Sequence, residues 1–197
     1  MSNMNAKPRQ RLPVAERRAV IVEAAGRLFG ERGYEATRLD EIAAAASVTK
    51  PIVYRHFDSK RDLYLALLDR HRDDLAGFVS AIPVEGSTED RLRAVLELWL
   101  GYVEARSYAW KMLFRDTGGG PEIGARRREV HATARAVLVD LIRSLAAAPV
   151  PRRELEPLAE LMSMGMAALV LWWIEDAAVS RRAVLDALTT AWVKLLA

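Results

Sequence analysis

The chain reads as all-α. Nothing alternates apolar and polar residues with period two for long, whereas apolar residues recur at three- and four-residue spacing from end to end. Cap and turn signals divide that pattern into about nine helices. With 51% of its 197 residues hydrophobic and 28% charged, the chain can bury a substantial core, either as one larger domain or as a small domain joined to a bigger one.

Ile21, Ala24, Ala25 and Leu28, with Phe29 on the same side, predict a first helix from about Val14 to Arg32, and Gly33 supplies a left-handed stop. Thr37-Arg38-Leu39-Asp40 has the capping-box form and predicts a second helix from near Arg38 through the apolar run Ile42 to Ala46. Ser47-Val48-Thr49 interrupts it. Thr49 caps a third helix whose first turn holds Pro51, where the missing N–H is harmless. Asp58 and Ser59 open a long fourth helix to Ile82, with Leu63, Leu67, Leu68, Leu75, Phe78, Val79 and Ile82 on its apolar face.

Ser87-Thr88-Glu89 leads into a fifth helix carrying Leu92, Val95, Leu96, Trp99 and Val103. The aromatic-rich piece from Arg106 to Arg115 ends at DTGGGP, residues 116–121, which must be a loop. A seventh helix is expected from Pro121 to Ala148. An eighth runs from near Glu154 to Asp176, with Pro157 tolerable in its first turn. Its uncharged run from Leu161 to Ile174 is shorter than the roughly 18 apolar residues of a spanning segment, so a buried helix is expected. Ser180 caps the ninth, where Val184, Leu188, Ala191 and Leu195 form one stripe and Leu185, Trp192 and Leu196 a second. Two stripes imply two partners.

Several function classes lose support. The sequence has no cysteine, which removes disulfides, thiolate metal ligands and thiol nucleophiles. Gly118 to Gly120 follow no strand and precede no Lys-Ser or Lys-Thr pair, as a phosphate loop would require. His56, His71 and His131 are scattered, without metal-ligand spacing, and no nucleophile elbow is present. Neither an enzyme nor a cofactor or metal is expected. The N-terminal stretch MSNMNAKPRQRLPVAERR has no apolar h-region, so a cytoplasmic protein without a secretory signal or membrane span is expected. Net charge is only +3, and its placement matters more than its size. Lys7, Arg9 and Arg11 make residues 1–13 a basic arm, expected to be flexible, and Arg17 and Arg18 extend the basic character beyond it.

One stretch carries a sharper signal. In SVTKPIVYRHFDSK, residues 47–60, only Val48, Val53 and Phe57 are placed to anchor a helix, while Thr49, Lys50, Pro51, Ile52, Tyr54, Arg55 and His56 crowd its outer face. Together with Ile42, Ala43 and Ala46 on the preceding helix, that spacing predicts a helix-turn-helix pair whose second member is bare on one side. In a DNA major groove Lys50 can donate to guanine O6 and N7, Pro51 and Ile52 can touch thymine methyls, and the rest can grip phosphates.

Residues 16–68, above all FGERGYEATRLDEIAAAASVTKPIVYRHFDSKRDLYLALL, resemble the DNA-binding domain of the TetR family of bacterial repressors. The resemblance rests on Phe29, Gly33-Tyr34, Thr37, Ile42-Ala43, Val48, Tyr54, His56-Phe57 and Lys60 in combination. It implies phosphate contacts for Tyr54, His56 and Lys60, base reading by Lys50, Pro51 and Ile52, and either role for Thr49. Arg38 stands where the family usually has threonine or serine, and its length would let it reach a phosphate or a base edge. Ser47 stands where the turn usually has glycine, a costlier choice if that residue needs positive φ.

The resemblance further implies a head over residues 14–58 and a C-terminal body over 59–197, with helix 59–82 as connector. The body would bind a small-molecule effector and pair with a second copy, giving a homodimer on near-palindromic double-stranded operator DNA. Trp172, Trp173, Leu188 and Trp192 are the interface candidates. Trp99, Tyr102, Trp110, Met112, Phe114, Met162, Met166 and Leu169 are candidates for a pocket suited to an apolar or aromatic guest. Both sets equally suit a packed core. Two alternatives remain: a ligand-independent DNA-binding or DNA-organising dimer, and a helical enzyme or lipid carrier.

Overall fold

The computed structural model describes residues 13–175 and 178–196. Among them there is no strand, and the order is α1 (Val14–Ala36), α2 (Leu39–Ala45), α3 (Lys50–Tyr54), α4 (Lys60–Gly77), a single 3-10 turn (Phe78–Ala81), α5 (Thr88–Ala105), α6 (Ser107–Phe114), α7 (Gly120–Leu145), α8 (Arg152–Trp173) and α9 (Arg181–Leu196). The expected basic arm lies outside the described residues except for Pro13, and the eighth helix, expected to run to Asp176, closes already at Trp173 with Ile174 as its C-cap.

Three predicted starts are held by a side-chain cap, whereas Thr49 stands at the cap position of α3 without a side-chain cap bond. Ser59 accepts from the Asp62 amide at 3.0 Å, Ser87 from Asp90 at 3.1 Å and Ser180 from Ala183 at 3.2 Å. The second helix is different. Thr37 does not cap it; the Thr37 side chain is buried and donates back to the carbonyls of Gly33 at 2.8 Å and Leu28 at 3.2 Å. The cap is Arg38, whose N–H donates to the Glu41 carboxylate at 3.0 Å. Gly33, with φ 78° and ψ 172°, breaks the helical path of α1, and a short turn continues to Ala36. Pro157 sits two residues deeper than expected because α8 begins at Arg152.

The turn between α2 and α3 closes as a Schellman motif: the Ser47 N–H donates to Ala44 at 3.0 Å and the Val48 N–H to Ala43 at 2.9 Å. Ser47 has φ 52° and is the one non-glycine residue at positive φ among the described residues. A left-handed conformation costs an L-residue about 1–2 kcal/mol, partly offset by the flexibility glycine brings to the unfolded chain. Ser47→Gly is therefore expected to raise stability by about 1 kcal/mol, measured by urea unfolding of the two proteins side by side; a loss of stability would contradict the turn geometry.

Two apolar clusters hold the molecule together. The first joins Ile21, Phe29, Ile42, Val53 and Phe57 of the head region, through Leu63 of α4, to Tyr108, Met112, Ile123 and Val130 of α6 and α7. The second joins α5, α7, α8 and α9 through residues such as Leu96, Ile142, Val170 and Trp192. The core is therefore continuous across the boundary expected at residue 59. Gly26 and Gly30 make this possible: a Cβ at Gly30 would lie 2.8 Å from the Tyr108 Cα, and one at Gly26 would lie 2.5 Å from the Tyr108 ring. Two missing side chains on α1 thus let α6 press directly against the helix beneath the reading unit.

Helix α8 is not the buried helix expected. Leu155, Ala159, Met166, Val170 and Trp173 face the core, but Leu161 is 68% exposed and Met164 and Trp172 are exposed beside it. Its spacing of three and four residues puts these side chains on one stripe.

Candidate DNA-binding face and effector cavity

Helix α3 is held by its inner side. Val53 and the following Phe57 are buried, and Val48 packs against the same cluster. Thr49, Lys50, Pro51, Tyr54 and Arg55 are exposed, with Tyr54 at 48%. Ile52 and His56 are half-buried, and Ile52 packs partly on the core, so less of it is free for a base than the sequence suggested. A short helix presents polar and apolar side chains outward while three apolar anchors fix its angle, which is the geometry a groove reader needs.

The charges on this face are pre-set. Lys50 Nζ pairs with the Asp40 carboxylate at 2.9 Å, and that hydrogen bond raises the lysine pKa. An exposed pair of this kind opens at little cost and meanwhile limits where the lysine points. Arg38 is exposed, with its guanidinium 3.9 Å from the same carboxylate. Burial, then the positive charges of Arg17, Arg55 and Arg18, push the His56 pKa down. The ring is neutral at pH 7 and sits in a positive neighbourhood. Arg18 also lies over the Phe57 ring, 4.8 Å from its centroid, so the basic residues at the start of α1 belong to this face.

Lys60, expected at a phosphate, is engaged within the protein. Its Nζ donates to the carbonyls of Tyr34 at 2.8 Å, Thr37 at 3.1 Å and Glu35 at 3.4 Å, and it lies 4.3 Å from the Tyr34 ring centroid. An ammonium has three protons, and all three have partners inside the protein. The start of α4 is thereby locked to the corner between α1 and α2.

A second lock was not anticipated. Asp116 accepts from the Tyr34 N–H at 2.7 Å, the Tyr64 hydroxyl at 2.9 Å and the Gly118 N–H at 2.9 Å. Arg127 stands 3.4 Å away and donates to the Tyr64 hydroxyl at 2.7 Å and to the carbonyls of Met112 and Gly118 at 3.1 Å each. Burial raises the Tyr64 pKa, so the phenol stays protonated. The sequence carried a signal for this: Ile123, Arg127 and Val130 share one buried face of α7, and an arginine there demands partners.

Between α4, α5, α6, α7 and α8 lies a cavity of about 70 Å³. Of the eight pocket candidates, Trp99, Trp110, Phe114 and Met166 line it. Tyr102 and Met112 face a smaller void on the other side of His71, and Met162 and Leu169 pack on the body's core. His71, Val130, Leu138 and Ser163 complete walls that the sequence had not singled out.

The interface candidates divide in the same way. Trp172 is exposed, whereas Trp173, Leu188 and Trp192 are buried within their own chain, Trp173 donating from Nε1 to the Val179 carbonyl at 3.0 Å. Of the first α9 stripe, Val184 and Leu188 face inward and Leu195 faces out.

An exposed reading helix, seated by its inner side on a larger helical bundle, defines a helix-turn-helix protein with an attached body. Comparisons with known proteins identify which. The family model described as bacterial regulatory proteins of the tetR family matches residues 21–67. The transcriptional activator FasR of Mycolicibacterium smegmatis is 38% identical over 134 residues, 67% of this chain, which spans 61% of the length of that relative. Among solved structures, a TetR-like transcriptional regulator from Rhodococcus sp. RHA1 aligns over 94% of this chain and 98% of its own with a TM-score of 0.73 at 25% identity. The regulator FadR from Bacillus subtilis, solved with stearoyl-CoA, shares the fold over 90% and 96% with a TM-score of 0.67 at 17% identity. The chain belongs to the TetR family.

Proposed function

We propose that this chain is a homodimeric transcriptional regulator that binds a near-palindromic operator, represses where that operator overlaps a promoter, and is released by a small apolar or aromatic effector. The observation that carries the reading is the bare outer face of α3 over a buried inner one. Two copies would put their reading helices about one helical turn of DNA apart, roughly 34–36 Å. The pairing surface we assign is the exposed stripe of Leu161, Met164 and Trp172 on α8 with Leu195 on α9. Support for an effector comes from the apolar cavity in the body and from the stearoyl-CoA bound by FadR, a neighbour in fold. At about 70 Å³ the cavity is well below the roughly 300–1,000 Å³ of a formed ligand site, so entry must move side chains such as Phe114 and Met166. Because α4 and α6 wall the cavity and are also locked to the head, that movement reaches the reading helices. The ligand needs a preference for the released state of typically about 1–3 kcal/mol.

The test is operator selection from random duplexes, followed by binding of two variants. Tyr54→Ala should weaken all operators alike, and Lys50→Ala should relax base choice at one position by about tenfold. Unchanged DNA affinity in both variants would sink the reading.

Lys60→Met separates bracing from phosphate contact. The bracing geometry predicts a stability loss of about 1.5–3 kcal/mol, because hydrogen bonds to a charged group are lost. The salt dependence of DNA binding should keep its slope. A stable variant whose log–log salt slope falls by about one would instead make Lys60 a phosphate contact.

A further inference from the structure

The cavity walls include no lysine, arginine, aspartate or glutamate, yet two of the wall side chains bring polar atoms that no described residue satisfies. His71 Nε2 and Trp110 Nε1 are buried without a hydrogen-bond partner among the described residues, on side chains only 3% and 6% exposed. Such orphans are rare in folded proteins. The two rings are neighbours, packed edge to face with centroids 5.7 Å apart.

Their chemistry is the same. An indole nitrogen only donates. The His71 Nδ1 meets the Tyr102 hydroxyl, which has no other partner among the described residues and lies outside the cavity wall. A buried hydroxyl with one neighbour gives its proton to the imidazole lone pair, and this assigns the remaining ring proton to Nε2, pointing away from Tyr102. Burial also pushes the His71 pKa down to about 3, so the ring is neutral. The other polar wall side chains are Ser163 and His131, and burial lowers the His131 pKa, so two unpartnered neutral N–H donors belong to a mostly apolar wall with no permanent charge.

Resting on the reading of this cavity as the effector site, we propose that the effector is an uncharged, mostly apolar molecule bearing one acceptor oxygen, such as a ketone, ester or thioester carbonyl, which His71 and Trp110 hold together. A carboxylate in the same place would be buried without a cation and is rejected. His71 is on α4 and Trp110 on α6, the two helices tied to the head, so one oxygen held by both fixes their spacing.

Three isosteric probes test this on the full chain by calorimetry: acetophenone, α-methylstyrene, which replaces the carbonyl oxygen by CH2, and benzoate, which is anionic. Acetophenone should bind about tenfold more tightly than α-methylstyrene, with benzoate weakest. His71→Phe and Trp110→Phe should each erase the preference and leave α-methylstyrene within about twofold. Equal binding of ketone and alkene by the unmodified protein, or a preference that survives both substitutions, overturns the proposal while leaving the cavity a ligand site. Tightest binding by benzoate overturns it too. If no probe binds, the cavity reading fails and this inference falls with it. The comparison on the unmodified protein requires no variant, so a substitution that prevents folding does not remove the test.

Discussion

Replacing Arg127 by leucine is expected to destabilise the protein by about 3–5 kcal/mol, more than any surface change would. Arg127 and Asp116 are both about 90% buried at their side chains, and together with Tyr64 they connect α4, α6 and α7 to the Tyr34 corner of the head. Removing the cation leaves a carboxylate in the interior with two N–H donors and a phenol but no countercharge, and breaking one side of such a pair costs far more than the pair contributes. The double variant Arg127→Leu with Asp116→Leu should recover part of the loss, because it removes the stranded charge as well. Urea unfolding of the two singles and the double closes the cycle. A single variant within 1 kcal/mol of the parent would show that the network is not the junction it resembles. Hydrogen exchange at the Tyr34 amide supplies a local readout, since that N–H donates to Asp116 and should lose protection in the Arg127 variant.

Trp192→Ala is expected to cost a comparable amount, about 3–5 kcal/mol, as a large-to-small change in a close-packed core. Trp192 is 2% exposed and belongs to the cluster shared by α5, α7, α8 and α9. The loss should fall on the protomer itself, visible as an earlier unfolding transition that persists at low concentration. Trp172→Ala should behave in the opposite way: its side chain is 50% exposed, so the protomer keeps its stability while self-association, followed by sedimentation equilibrium, weakens. If Trp192→Ala instead gave a stable chain with weakened association, the assignment of these two tryptophans would be reversed.

The neighbouring pair Trp172-Trp173 shows why an exposed tryptophan could not be told from a buried one ahead of the structure. Adjacent residues on a helix differ by about 100° in direction, so one of the two must face away from the other's partner, and composition does not say which. The same limit applies to the pocket. Trp110 and Met112 lie two residues apart on α6 and end on different sides of it, Trp110 in the cavity wall and Met112 in the cluster beneath the head. Both are apolar and both are buried, and only the position of α4 and α7 around them decides which one sees empty space.

Periodicity, caps and the order of helix-breaking residues determined the local part of this protein: the all-helical fold, most element starts, the break at Gly33 and the outward face of α3. These follow from interactions within a few residues of each other, which a linear pattern records. Tertiary structure alone decided that Lys60 braces the α1–α2 corner, that Asp116 reaches back 82 residues to Tyr34, and that Gly26 and Gly30 admit α6. Each of these joins residues distant along the chain, and for a buried charge or a bare glycine the partner is chosen by which helix comes to lie opposite.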